Sequence, residues 1–108
     1  MDEKILNELV DGILEIMKPS VERIILYGSV ARGTSTDESD IDVAVLVRDV
    51  LTNEIQELLS GFVVDMNLKY DKVFSVLDID YSDFRKWEGV TPFYQNMARE
   101  GIVLWRAA

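Results

Sequence analysis

Leu26-Tyr27-Gly28-Ser29-Val30-Ala31-Arg32-Gly33 and, a few residues on, Ser39-Asp40-Ile41-Asp42-Val43 are the stretch that decides the reading of this chain. The apolar run Ile24-Ile25-Leu26-Tyr27 stops at Gly28, the pattern of a buried strand from Val21 to Tyr27. Ile41 to Val47 reads as a second strand of the same sort. Between them Gly33 to Asp40 is small and polar throughout, which predicts a surface loop. Gly28 lets the backbone turn sharply and come close to a ligand. Ser29 opens a short helical turn whose free amides favour a phosphate, and its hydroxyl adds a donor. Asp40 and Asp42 are two apart at the start of a strand, so the pleat points both carboxylates to one face. Two oxygen donors side by side suit magnesium, or manganese, bridging nucleotide phosphates. The expected site is Asp40 and Asp42 for metal and catalysis, with Gly28, Ser29 and Arg32 for the nucleotide. Singly, a Gly-Ser turn, a loop-capping Asp40 and a solvated Arg32 are ordinary features. Asp42 just inside an apolar strand is not, because a buried charge without a partner or metal is costly.

Outward from this stretch, Ile5, Leu6, Leu9, Val10, Ile13, Leu14 and Met17 recur at spacings of three and four before Pro19, which predicts a first helix with one buried stripe. After the second strand, Leu51, Ile55, Leu58, Leu59, Phe62, Val63 and Met66 define a helix whose stripe is expected in the core. A third strand over about Lys72 to Ile79 completes a crossover and can lie parallel to the second. Ser82 to Trp87 is a short helix candidate. Thr91 as N-cap, Pro92 at the first position and Gly101 just past the end mark a last helix. Ile102-Val103-Leu104-Trp105 reads equally as an edge strand or as a segment packed on the core. Phe84, Trp87, Phe93, Tyr94 and Trp105 are expected in the core, with an apolar patch toward another subunit, and hence an oligomer, as the alternative. The whole is one α+β (α/β) domain over residues 1–108, a small mixed sheet with helices mainly on one face.

The 108 residues suffice for one core. No cysteine and no histidine occur, so catalysis must rest on carboxylates, metals, amides or hydroxyls. A formal net charge of −9 lacks the cationic surplus that bulk nucleic-acid binding needs. No apolar run reaches the roughly 18 residues of a membrane span, and the start of the chain lacks a secretory pattern. A cytoplasmic location is the expectation.

The motif Gly28-Ser29, a spacer, then Asp40-Ile41-Asp42, with Ala31-Arg32-Gly33 and Ser39 between, resembles the nucleotidyltransferase superfamily that includes polymerase-beta-like enzymes. It is especially similar to the small stand-alone members called minimal nucleotidyltransferases, or MNT proteins, and Pro92-Phe93-Tyr94 through Arg99-Glu100-Gly101-Ile102 fits that group too. The resemblance implies the nucleotidyltransferase fold and in-line attack on the α-phosphate of a nucleoside triphosphate, ATP above others, releasing pyrophosphate. It also implies an acceptor hydroxyl on a HEPN-family partner, with this chain as the antitoxin.

One position departs from the family pattern. Members with full activity usually carry a third carboxylate on the strand after the Asp-x-Asp pair, and strand register puts Ser75 there. Asp71, just before that strand, is the reserve ligand, whereas Asp78 should face the other side of the sheet. The alternative reading is therefore a catalytically weakened binding module that neutralises its partner by contact. Transfer to a small molecule or a nucleic-acid end is a third reading, disfavoured in its second form by the missing basic patch.

Overall fold

Residues Val21–Tyr27 form β1 and Ile41–Val47 form β2, paired antiparallel so that Tyr27 stands opposite Asp42. The computed structural model describes residues 2–36 and 40–108. Both strands are almost wholly buried, which is why their sequences run apolar without alternation. Ahead of them lies α1, Glu3–Met17, whose N-cap Asp2 accepts a hydrogen bond from the Lys4 amide at 2.8 Å. Pro19 ends that helix in a 3-10 turn over Lys18–Ser20.

The short α2, Gly28–Arg32, follows β1 directly and stops at Gly33, whose φ of 74° is left-handed. After β2 comes α3, Asn53–Tyr70, started by the Thr52 hydroxyl accepting from the Ile55 amide at 3.2 Å. It leads into β3, Phe74–Asp80, which lies parallel to β2 as the intervening helix allows. Asp80 caps α4, Tyr81–Trp87, by accepting from the Ser82 and Asp83 amides. Then α5, Pro92–Glu100, precedes β4, Ile102–Arg106, an edge strand antiparallel to β1. The sheet order is β3-β2-β1-β4. The last segment is thus a strand, the first of the two arrangements its sequence allowed.

Alternation along the central strands divides the core. Ile24, Leu26, Val43 and Val45 face the two long helices, packing with Leu9 and Ile13 of α1 and Leu59 and Met66 of α3. Ile25, Ala44, Leu46 and Ile79 face the other way, under Phe84 of α4 and Met97 of α5. The two shorter helices cover only part of that second face, which is where the aspartates emerge.

Three expectations about burial need correction. Leu58 is 55% exposed and is not in the core. It stands about 100° around the helix from Leu59, which points inward, so α3 cannot bury both fully. Trp87 and Phe93 are also exposed, at 42% and 43%. They lie at the end of α4 and the start of α5, where no further layer covers them, whereas Phe84 is buried and Trp105 and Tyr94 are partly so. Among the described residues no helix is long and apolar enough to cross a membrane.

Candidate active site

Gly28 has a φ of 75°, and a Cβ built on it would run into the Asp42 carboxylate, with Asp42 Cγ 3.3 Å away. The turn after β1 and the acid on β2 thus lie side by side; the positive φ favours glycine, and a side chain there would displace the Asp42 carboxylate. Gly33 shares the left-handed conformation but faces open space. Ser29 accepts on its carbonyl from the Thr34 amide at 3.0 Å, closing α2 onto the start of the loop.

Asp40 immediately precedes β2 and is exposed, and Asp42 is half-buried two residues on. Asp42 belongs to the face of Ala44 and Leu46, the one opposite α1 and α3, and Asp40 lies near enough for its charge to act on it. Burial pushes the Asp42 carboxyl above its ordinary value, the Asp40 charge adds to the rise, and the Arg32 guanidinium partly offsets it. Across the strand pair, burial and then the Asp42 charge raise the Tyr27 phenol. Arg32 itself is paired, Nη1 lying 3.9 Å from Oε2 of Glu100 on α5, with both side chains substantially exposed. Ser39, the remaining element of the motif, lies outside the described residues.

Parallel pairing puts Ser75 directly beside Asp42, as the strand register predicted. No group of three or more acidic side chains arranged to hold a metal ion occurs among the described residues. Asp71 is instead the left-handed C-cap of α3, φ 52°, its amide bonded to the Asn67 carbonyl. That is a conformation aspartate tolerates, and it accounts for the residue without a ligand. Asp78 faces α3 beside Gln56, Leu59 and Ser60, on the side of the sheet away from Asp42.

Sequence reasoning did not place α5 next to the motif. A cleft of ≈ 220 Å³ runs between Tyr27, Gly28 and Arg32 on one side and Phe93, Asn96, Met97 and Glu100 on the other. The one signal available was the opposite charge of Arg32 and Glu100, which nothing local singles out from other ion pairs.

The family model "Polymerase beta, Nucleotidyltransferase" matches residues 12–107. A Methanocaldococcus jannaschii relative named "putative protein adenylyltransferase" is 33% identical over 107 residues, 96% of this chain and 98% of its own length. The protein adenylyltransferase MntA of Shewanella oneidensis is 33% identical over 106 residues, 96% of this chain and 64% of that protein. Among solved structures, a toxin-antitoxin crystallised with AMP-PNP superposes with a TM-score of 0.61 at 26% identity, covering 93% of this chain and 73% of that one. The fold recurs, at 22% identity and a TM-score of 0.62, over 99% of this chain and 74% of the other, in a complex of tri-AMPylated Shewanella oneidensis HEPN toxin with MNT antitoxin. A glycine turn against an Asp-x-Asp strand, a mixed four-stranded sheet and a family match over nearly the whole length agree, and this chain belongs to the polymerase-beta nucleotidyltransferase family.

Proposed function

We propose that this chain transfers AMP from ATP, with a divalent cation, to a hydroxyl of a HEPN-family partner protein and so acts as its antitoxin. The observation that carries the reading is the convergence of Gly28, Arg32 and the Asp40–Asp42 pair on the sheet face that α1 and α3 leave free. The names of relatives at 33% identity support protein as the acceptor class and adenylate as the group moved.

The donor set fits magnesium or manganese. Asp40 lies close enough to add to the rise that burial imposes on Asp42, and a cation held between such carboxylates would offset the cost of ionising both. Magnesium is usually held by one or two carboxylates together with substrate phosphates, so Asp40 and Asp42 suit an ion shared with the triphosphate. When bound, such an ion neutralises charge on the phosphates and on the group in flight. The chain's own residues do the positioning. Gly28 lets the backbone approach the phosphates, Ser29 offers its amide and hydroxyl, and Arg32 exchanges Glu100 for a phosphate oxygen. The acceptor hydroxyl gives its proton to an ionised carboxylate of the pair as its oxygen attacks the α-phosphorus, the bond from that phosphorus to the α,β-bridging oxygen breaks, and pyrophosphate leaves.

Ser75 favours a second reading. A hydroxyl beside Asp42 is a poor substitute for a charged third ligand, and a binding module that neutralises its partner by contact needs no complete catalytic set. Incubation with labelled ATP, magnesium and a HEPN partner separates the two. Transfer predicts label on the partner, reduced about a hundredfold or more in Asp42→Asn. A stable complex that never acquires label would favour the module.

A further inference from the structure

We propose that the cleft between α2 and α5 seats the nucleotide's purine base, an inference that rests on the nucleotidyl-transfer reading above. Gly28 belongs to both places: it touches the Asp42 carboxylate and lines the cleft. A nucleotide held by its phosphates at Gly28 therefore has the cleft within reach of its other end. The cavity of ≈ 220 Å³ suits a planar ring and is too small for a whole nucleotide.

Its walls carry the chemistry of base recognition. Phe93 is 43% exposed although its ring is pinned edge-to-face against Tyr27, centroids 5.6 Å apart at 81°. An aromatic surface already ordered and still open to solvent can take a stacked base at little conformational cost. Met97, 2% exposed, gives an apolar floor. Asn96 accepts on Oδ1 from Arg99 Nη2 at 3.0 Å. Arginine can only donate, so the amide oxygen must face it, and the Asn96 NH₂ is turned to donate elsewhere. Ring nitrogens of a base accept such a bond. Glu100 lines the same cleft, and once Arg32 moves to a phosphate its carboxylate accepts from an exocyclic amine. Adenine meets this pair with an acceptor ring nitrogen and its amine, and guanine meets it with its carbonyl oxygen and N1–H, so the two polar walls hold a purine by its edge. The larger cavity, ≈ 530 Å³, lies on the other side of Phe93 beside Asp83, Trp87 and Thr91 and holds no residue of the Gly28 turn or the carboxylate pair.

Calorimetric titration of the full chain with magnesium and, separately, ATP, GTP and tripolyphosphate tests the assignment. Phe93→Leu should weaken ATP roughly tenfold and leave tripolyphosphate unchanged, Phe93→Trp should keep ATP affinity, and Glu100→Gln should weaken ATP and GTP together. Asp42→Asn should weaken ATP and tripolyphosphate alike. If Asp42→Asn has that effect and Phe93→Leu has none, the base cleft is wrong and the transfer reading stands. Equal loss of ATP and tripolyphosphate in Phe93→Leu would mean a structural role and also overturns the cleft. An unaltered chain that binds neither ligand removes both ideas together.

Discussion

Asp42 shows what the site asks of a single residue. Burial and Asp40 hold its carboxyl above the ordinary aspartate value of 3.8, so the folded protein binds that proton more tightly than the unfolded chain does. A raised carboxyl contributes stability that is complete below the unfolded value and is lost as pH rises through the folded one. At neutral pH the ionised Asp42 is then a net cost. Asp42→Asn, of the same shape and uncharged, should raise the thermal midpoint at about pH 7 and lose that advantage below about pH 4. Melting curves across this range check it, and an unchanged or lower midpoint at neutral pH would contradict the assigned cause. The approach of Gly28 and Asp40 to Asp42 was legible in sequence because a strand-ending turn and a two-residue spacing fix it locally. Phe93, Asn96 and Glu100 were not, since only the packing of α5 beside α2 gives them a place in the cleft. Gly101 stands just past the end of α5, as the sequence predicts, its amide bonded to the Met97 carbonyl. Its φ of −70° is ordinary, and its lack of a side chain lets the end of α5 approach Ile25 of β1.

At the level of elements, the junction of α1 with α3 is tightest where Gly12 faces the Phe62 ring, and a Cβ on Gly12 would occupy the ring's edge. Replacing Gly12 by alanine gains about 1 kcal/mol of helix propensity. Overpacking against a planar ring costs about 1–3 kcal/mol. Gly12→Ala should therefore destabilise by up to about 2 kcal/mol alone and by less in a Phe62→Leu background, where the ring is gone. Urea unfolding of the four variants in a double-mutant cycle measures the coupling, and strict additivity would show that the contact carries no energy. The same helix shows where periodicity misleads. Leu58 sits at the margin of the apolar arc, and Val64 and Leu68, 52% and 78% exposed, show that α3 is apolar on its outer side as well. A stripe read from sequence cannot tell its edge from its centre when the opposite face is apolar too. Beside that junction Glu8 joins Lys69 and Tyr70, contacts of 2.9 to 3.0 Å that hold its carboxyl below the usual range, by the Lys69 bond first.

For the molecule as a whole, the order β3-β2-β1-β4 leaves β3 and β4 as the outer strands. The strands β1 and β2 were legible to the residue because burial on both faces makes their sequences continuous. The role of β4 was not, because Ile102 and Val103 remain 47% and 43% exposed and bear the mark of neither core nor surface. Its pairing with Arg23, Ile24, Ile25 and Leu26 is nevertheless what closes the outer edge of β1. A chain ending at Gly101 should bare that edge, lose stability and self-associate. Sedimentation velocity would detect the larger species, and a truncated chain that stays monomeric and equally stable would show that the strand is dispensable. In chain order β1 is the first of the four described strands, and it gains its second neighbour only from the fourth. Until β4 docks, the most apolar pair of strands keeps an open hydrogen-bonding edge, the kind of surface that chaperones and proteases recognise.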